Sequence, residues 1–359
     1  MRKWLTLRLL IVGGILGILV PLTSGIGSLG MMAQSSGELV IFSGRREPLL
    51  TPVLQLFQQQ TGVQLTVKFG STTALAQEIL QLQETGRPVP DVFIANDAGT
   101  LEFLQRTRGA FQTYTSPQIA TMPERFRSSD GSWIGVSGRS RVIIYNKDLV
   151  NPEELPTTAF DLIDSKWRGK IAVSNASDTD GFVPWVSALR LTLGDELTKA
   201  FLLKLKENQI VILAEQTDIR KAVGRGEFAL GLINNYYVYL QRQEPDPAVR
   251  NVGILYHDQR PFQLGTLVNS TGAAIVKGAK NLQNAQRFLD LLVSELAQKL
   301  FAELNYEYPL LPGVPIQSDV REELPSGELE GLKQLPVSPA DLGKELEATQ
   351  QLLEEVGWF

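Results

Sequence analysis

The stretch Val63-Gln64-Leu65-Thr66-Val67-Lys68-Phe69 alternates apolar and polar residues along its whole length, which predicts a β-strand with one polar face. An apolar run at residues 38–42 predicts an earlier strand, and a shorter run at residues 92–94 predicts a later one. Helical patterns separate these strands, at residues 48–60 and around Leu75, Ile79 and Leu82. The order strand, helix, strand, helix, strand predicts a mainly parallel sheet with helices on its faces.

A second series of the same kind begins near Arg141 and is followed by a long C-terminal segment. Its strands are predicted at residues 142–145, 170–173, 210–213 and 228–233. The later elements are predicted as an extended segment over 265–276, one amphipathic helix over 282–304, and a final helix over 340–356 that packs back on the body as a strap.

The mature chain is too long for one core. Without its first 33 residues the chain of 359 residues keeps 326, so we expect an α/β protein of two lobes, each with a mostly parallel sheet flanked by helices. The predicted N-terminal lobe comprises residues 38–141 and 267–317. The predicted C-terminal lobe comprises residues 142–266 and 318–359, including the strap. Two such lobes form a hinged clamp with a ligand cleft between them.

Residues 1–33 differ in kind from the rest of the chain. Arg2, Lys3 and Arg8 precede an apolar core at residues 9–22, and small residues follow it. This pattern predicts a secretory signal peptide, since the apolar core is shorter than the ~20 residues that a spanning helix needs. We therefore expect a periplasmic protein, although a leader retained as an anchor remains an alternative.

Composition excludes several classes of function. The chain contains no cysteine, which rules out thiolate metal sites, disulfides and lipid attachment through a cysteine. Removal of the leader leaves 31 Lys and Arg against 39 Asp and Glu, a net charge of −8. A chain with this charge is not expected to bind nucleic acid.

The segment Asn234-Asn235-Tyr236-Tyr237 places two phenols at the end of a predicted strand and in the first turn of a predicted helix over 235–243. Asn235 is expected to cap that helix. Ligands of open α/β sheets bind at such strand ends, and phenol oxygens can hold a hard metal ion. The alternative is that both rings are packing residues with their hydroxyls at the rim of the protein.

Two loops bring guanidinium groups to the same region. Arg45 and Arg46 follow the first strand and precede a helix, which favours an anion, and solvated arginines beside a capped helix are the alternative. Arg139 and Arg141 lie at the predicted crossing between lobes. They also favour an anion there, whereas a hinge with salt bridges is the other interpretation.

Two further polar segments follow strands. Asp97 begins a predicted helix, so its carboxylate either faces the cleft or caps the helix, and the cap is the favoured role. The stretch Ser174–Gly181, which includes Thr179, is suited to contacts with an anion or another ion. It is not a calcium loop, because the required glycine and terminal glutamate are missing.

Catalytic motifs are scarce in this sequence. His257 is the only histidine, and we expect it to be a satisfied surface residue. Neither a phosphate-binding loop G-x-x-x-x-G-K-[ST] nor a nucleophile elbow G-x-S-x-G occurs. The sequence therefore favours ligand binding over an enzymatic reaction.

Five segments together resemble the periplasmic ferric-ion-binding proteins of ABC iron transporters, in order and spacing over nearly the whole mature chain. These segments are Val40–Arg45, Ser137–Tyr145, Trp167–Lys170, Ile233–Tyr237 and Glu307–Leu310. The resemblance implies a type II periplasmic-binding-protein clamp, a monomer, that delivers Fe³⁺ to an ABC permease in the inner membrane. It assigns Tyr236 and Tyr237 to the metal and Asn234 to the surroundings of a synergistic anion.

The chain departs from this family's pattern at two ligands. Arg46 stands where many members have a histidine, and Asn96, followed by Asp97, stands where they have a glutamate. Some members have an additional tyrosine in the loop of the second lobe, but residues 178–182 contain none. Tyr145 is expected to pack at the hinge rather than to bind metal.

These departures lead to a hypothesis about charge. Two phenolates leave Fe³⁺ with a charge of +1, so a synergistic anion such as carbonate or phosphate would complete the site. Its predicted contacts are Arg46, Arg139, Arg141, Asn234 and Thr179. Asp97 could instead supply the missing charge directly.

Two other functions remain open at this point. Because Arg46 replaces a metal ligand, the same fold could bind an organic or inorganic anion without iron. An exported hydrolase or transferase would have to depend on His257.

Overall fold

The computed structural model describes residues 37–358. The predicted signal peptide at residues 1–33 lies outside this range. No helix between residues 37 and 358 is both long and apolar enough to cross a membrane.

The described residues form ten β-strands and thirteen α-helices. The strands are β1 Glu38–Ser43, β2 Gln64–Phe69, β3 Val92–Ala95, β4 Phe111–Gln112, β5 Ile134–Asn146, β6 Ile171–Ser174, β7 Val211–Leu213, β8 Leu230–Asn234, β9 Val252–Leu255 and β10 Val268–Val276. The helices are α1 Glu47–Thr61, α2 Thr72–Glu84, α3 Ala98–Arg108, α4 Pro117–Ala120, α5 Phe182–Leu193, α6 Asp195–Glu207, α7 Gln216–Gly224, α8 Tyr236–Arg242, α9 Leu282–Leu292, α10 Glu295–Asn305, α11 Ser318–Glu323, α12 Pro339–Lys344 and α13 Leu346–Glu355.

The strands form one sheet in the order β2-β1-β3-β10-β5-β8-β6-β7, with β4 paired to β10 and β9 paired to β5. Strand β1 is parallel to β2 and β3, and β6 is parallel to β7 and β8. The two long central strands, β5 and β10, are antiparallel to their neighbours. Parallel groups of strands at both ends are thus joined through an antiparallel centre.

Strand β5 passes from one half of the sheet to the other. Its first part pairs with β10, where Ser140 lies opposite Val268. From Arg141 onward it pairs with β8 and β9, and Arg141 lies opposite Asn234. We call residues 140–141 the crossover of β5. The predicted lobe boundary falls beside it, and the division into two lobes stays a prediction.

Two predicted helices are interrupted in the structure. The helix predicted over 282–304 consists of α9 and α10, because the Ser294 hydroxyl accepts a hydrogen bond from Ala297 N and starts a new helix. The helix predicted over 340–356 consists of α12 and α13, which meet at Glu345. The prediction of one continuous helix is wrong in both places.

The C-terminal strap contacts both halves of the sheet. Helix α12 packs on α3, and α13 packs on α5. Beyond α13, the Trp358 ring stacks on Phe182 with ring centroids 4.8 Å apart. Leu342 and Leu353 are buried as predicted. The strap therefore joins α3, which follows β3, to α5, which follows β6.

Candidate metal centre

Tyr236 and Tyr237 lie side by side at the start of α8, directly after β8. Their rings are stacked, with centroids 4.4 Å apart and an angle of 29° between the planes. Only 5 % of Tyr236 and 7 % of Tyr237 is exposed. Neighbouring side chains of a regular helix diverge by about 100°, yet these two rings lie against each other in the first turn of α8.

Asn235 holds this turn against β5. It occupies the N-cap position, but its side chain makes no capping hydrogen bond, so that part of the prediction is wrong. The Asn235 Oδ1 atom instead accepts a hydrogen bond from Ser140 N at 2.9 Å, and Asn235 N donates to Ser140 O at 2.9 Å. The paired phenols are therefore tied to the crossover of β5.

Both phenols are protonated at neutral pH, and burial makes them still harder to ionise. It raises the pKa of Tyr236 well above its ordinary value, and the nearby Tyr237 and Asp180 raise it further. Burial, together with Asp180, raises the pKa of Tyr237 to about 12, although Arg46 opposes this shift. A cation that binds these oxygens as phenolates must therefore displace their protons.

Arg139 and Arg141 are buried beside the phenols, and both retain unused donors. Arg139 donates to Thr271 Oγ1 at 2.9 Å and to the carbonyl oxygens of Asn96 and Asp180. Arg141 Nη2 donates to Ser174 Oγ at 3.3 Å. The Nε atoms of both arginines and Nη1 of Arg141 have no hydrogen-bond partner among residues 37–358. Unused buried donors of this kind are suited to an anion.

Two carboxylates that are not among the predicted site residues, Asp178 and Asp180, lie in the loop after β6. Asp178 accepts hydrogen bonds from Phe182 N at 3.0 Å and Gln216 Nε2 at 3.1 Å, and it lies 3.7 Å from Arg141 Nη1. Burial, reinforced by Asp178, raises the pKa of Asp180 well above its ordinary value. Burial opposes ionisation of Asp178, but Asp180 and Arg141 outweigh it and lower the pKa of Asp178. Of the two carboxyl groups, Asp180 is therefore the harder one to ionise.

A cleft of about 880 Å³ opens beside these residues. Its lining includes Arg46, Thr179, Asp180, Glu215 and Tyr237. Arg46 and Glu215, both largely exposed, form an ion pair of 2.7 Å between the loop after β1 and the start of α7. The structure thus brings the predicted residues Arg46, Thr179 and Tyr237 to one cleft. Glu215 also lines this cleft, although it was not a predicted site residue.

Asp97 and Arg45 are engaged elsewhere. Asp97 caps α3 by accepting from Thr100 N at 2.9 Å, and its other oxygen accepts from Asn269 Nδ2 at 2.6 Å. This geometry favours the cap over a role as a metal ligand. Arg45 is buried and forms a bidentate ion pair with Glu307. The prediction that Arg45 helps to hold an anion is wrong, because its guanidinium is already paired.

His257 is buried rather than on the surface, so that prediction is wrong. Its Nδ1 atom lies 2.6 Å from Asp258 Oδ2, and its Nε2 atom has no hydrogen-bond partner among the described residues. No group of three or more His, Cys, Asp or Glu side chains in residues 37–358 is arranged to hold a metal ion.

Known proteins share this architecture. Residues 87–329 match the family of bacterial extracellular solute-binding proteins. The chain belongs to this family. It is a family of solute-binding proteins and not an enzyme class, which agrees with the scarcity of catalytic motifs.

Several relatives of this solute-binding protein are named for the uptake or binding of iron. It is 33 % identical to iron uptake protein A1 of Synechocystis sp. over 89 % of this chain and 87 % of that protein. It is 27 % identical to the Fe(3+)-binding periplasmic protein of Serratia marcescens, over 78 % of this chain and 81 % of that protein. The Trichodesmium protein IdiA (FutA), solved in complex with iron and citrate ligands, is 32 % identical. The superposition covers 90 % of this chain and 100 % of the Trichodesmium chain, with a TM-score of 0.77. These likenesses confirm the predicted α/β fold of the type II periplasmic-binding-protein class.

Proposed function

We propose that this solute-binding protein captures Fe³⁺ in the cleft and delivers it to an ABC permease of the inner membrane. The observation that carries the proposal is the stacked, buried pair Tyr236 and Tyr237 at the start of α8, beside the cleft. Relatives named for iron uptake and for binding of Fe(3+) support it. The name of the Serratia relative and the family's extracellular character also support a periplasmic location.

The chemistry of the donors favours a hard, highly charged ion. The phenols are protonated at neutral pH, and burial increases the free energy that is needed to remove their protons, because it raises the pKa of each one. A monovalent cation gains too little from these oxygens to displace two protons, whereas a trivalent ion gains much more. Fe³⁺ fits this requirement.

A synergistic anion completes the proposed site. The unused donors of Arg139 and Arg141 are available to carbonate or phosphate, and the exposed guanidinium of Arg46 could contact the anion as well as Glu215. Asn234 Nδ2 donates to Asp180 O at 3.3 Å, and Thr179 lines the cleft, so both lie where the anion is expected. The Trichodesmium relative was solved with iron and citrate, which supports a carboxylate as a further class of anion.

Capture is proposed to proceed by closure of a monomer. The lobes would comprise residues 38–141 with 267–317, and residues 142–266 with 318–359. The change of partner along β5 supports a hinge at residues 140–141. The pair of Arg46 and Glu215 joins the segments 38–141 and 142–266 at the cleft and would stabilise the closed form.

A visible titration with ferric ion tests the proposal. The mature protein, given Fe³⁺ and carbonate, should develop a phenolate-to-iron charge-transfer band. Tyr236→Phe/Tyr237→Phe should abolish the band and lower the affinity at least about 100-fold, because both anionic donors are lost. Tyr145→Phe is the matched control, since its half-buried ring lies against Gly253 in β9.

The same titration distinguishes the ferric site from a protein that binds an anion alone. A band that is missing from the wild-type protein, or that survives in Tyr236→Phe/Tyr237→Phe, would contradict the ferric site. Binding of carbonate or phosphate without any band would instead favour a protein that binds anions alone.

A further inference from the structure

The loop Ser174–Gly181 is held in place by Asp178, whose carboxylate is fully occupied. It accepts hydrogen bonds from Ser174 Oγ, Phe182 N and Gln216 Nε2, and it lies 3.7 Å from Arg141 Nη1. These contacts join the loop to α5, α7 and β5. Asp178 is therefore an anchor of the loop and has no oxygen left for a ligand.

The same contacts hold Asp180 beside the phenols. Its main-chain oxygen accepts from Asn234 Nδ2 at 3.3 Å and from Arg139 Nη2 at 3.4 Å. Gln216 donates to Asp180 Oδ1 at 3.4 Å and accepts from Asn234 N at 2.8 Å. Asn234 is two residues before Tyr236, so Asp180 is fixed directly against the start of α8.

Gly181 allows this close approach. A Cβ atom at this position would lie 2.3 Å from Arg141 Nη1 and 2.7 Å from Asp178 Oδ2. A side chain at this position would therefore displace the buried ends of the Arg141, Gln216 and Asp178 side chains. The sequence thus includes a glycine where the loop must come closest to the buried arginines.

Arg139 and Arg141 lie near Asp180, but the charged groups of the cleft leave its carboxyl group without an ion pair. Glu215 is paired with Arg46, and Asp178 is paired with Arg141. Asp180 forms no ion pair with any Lys or Arg among residues 37–358, although it lines the cleft together with Tyr237. A buried carboxyl group that lines the cleft and forms no ion pair is suited to binding a cation there.

We propose that Asp180 is a third anionic ligand of the bound ferric ion. This inference rests on the proposed function, and it answers the question of which group replaces the missing family ligands. Two phenolates and one carboxylate neutralise Fe³⁺ with the protein's own side chains. The anion held by the arginines then completes the coordination and orients the metal, but the charge balance no longer requires it.

Asp180→Asn tests this role, because asparagine keeps the shape and removes the charge. We expect the affinity for Fe³⁺ to fall at least about tenfold. The charge-transfer band should move to longer wavelength, because a ferric ion with fewer anionic donors accepts an electron more easily. Added formate should move the band back by supplying a carboxylate. Glu354→Gln is the matched control: Glu354 lines the same cleft and is exposed, and its substitution should change neither property.

The outcomes separate this inference from the proposed function. A band that depends on Tyr236 and Tyr237 but is unchanged in Asp180→Asn would overturn the role of Asp180 and leave the ferric site intact. An equal shift in Glu354→Gln would also overturn it. Absence of any band in the wild-type protein would remove both proposals. Asp180→Glu, which keeps the carboxylate, should retain the band near its original position, and it guards against a loss caused by misfolding of Asp180→Asn.

Discussion

At the scale of single residues, the paired phenols illustrate how burial prepares a site for one kind of ion. Tyr236 and Tyr237 are almost fully enclosed, which would be a poor environment for an isolated phenolate. The cleft residues Arg46, Arg139 and Arg141 partly offset that cost. The pair therefore stays neutral until a strong Lewis acid arrives, so weakly polarising cations are disfavoured.

The ion pair between Arg45 and Glu307 makes a prediction about stability. Glu307→Gln leaves the buried Arg45 guanidinium without its counter-charge, so we expect the free energy of unfolding to fall by about 3–5 kcal/mol. Urea denaturation of the metal-free protein measures this change. Glu295→Gln, which removes the exposed partner of Lys299, is the matched control and should leave the midpoint nearly unchanged. Equal midpoints for the two variants would show that the buried pair does not stabilise the fold.

Single residues also mark the limit of what the sequence predicts. Tyr237, Arg46 and Thr179 could be placed at one cleft because each follows a predicted strand. The polar run before Gly181 predicts contacts with an ion, but it does not single out Asp178 or Asp180. The signal that could have found them is that glycine, which follows two acidic residues directly after a strand. Arg45 and Arg46 are adjacent in sequence, and only three-dimensional packing separates the buried one from the exposed one.

At the scale of elements, a chain of buried hydroxyl groups joins α8 to the crossover of β5. Ser140 Oγ and Tyr308 OH lie 2.6 Å apart, and Tyr308 OH donates to Tyr256 OH at 3.2 Å. Tyr256 OH lies 3.4 Å from Tyr239 OH, and Tyr239 is one turn along α8 from Tyr236. These contacts connect α8 to the crossover through side-chain hydroxyl groups.

This hydroxyl chain predicts a loss of stability in alkali. Burial raises the pKa of Tyr239, Tyr256 and Tyr308 above the value near 10 that holds in the unfolded chain. The unfolded state therefore releases these protons first, so the stabilisation is complete below pH 10 and is lost as the pH rises above it. Above pH 10, each buried phenol should lower the free energy of unfolding by about 1.4 kcal/mol per pH unit.

Urea midpoints measured from pH 8 to pH 11 check this effect. The wild-type midpoint should be constant to about pH 9.5 and then fall. Tyr256→Phe removes one of the titrating groups, so its midpoint should fall less steeply. Identical slopes for the two proteins above pH 10 would contradict the assignment.

Elements were easier to predict from the sequence than their ends. The regular alternation in β2 and the apolar run before Tyr236 both gave strands. The run over 282–304 looked continuous because its apolar face persists through the break at Ser294. Ser294 caps α10 because the chain changes direction there. Whether the chain turns at a serine or continues as a helix depends on tertiary packing, which the local sequence does not show.

At the scale of the whole molecule, β5 and the strap join the two halves of the sheet in different ways. Strand β5 continues from one half to the other, whereas the strap connects them from outside through α12 on α3 and α13 on α5. The parallel strands at both ends were predictable from the alternation of strands and helices. The antiparallel centre was not, because it depends on two strands that are 122 residues apart in sequence between Asn146 and Val268.

Closure of the lobes predicts a change of size upon binding of iron. Addition of Fe³⁺ and carbonate should lower the radius of gyration in small-angle X-ray scattering toward about 20 Å, the value for a compact chain of this length. Tyr236→Phe/Tyr237→Phe should show no decrease, since its cleft lacks the phenolates that bind the metal. An equal decrease in that variant, or none in the wild-type protein, would contradict closure around iron.

The most direct test of the ferric site is X-ray diffraction from crystals of the iron-loaded protein, measured on both sides of the iron absorption edge. The proposed function predicts one anomalous peak in the cleft, within bonding distance of the oxygens of both Tyr236 and Tyr237. A peak bound elsewhere, or crystals loaded with iron that show no peak beside these phenols, would contradict it.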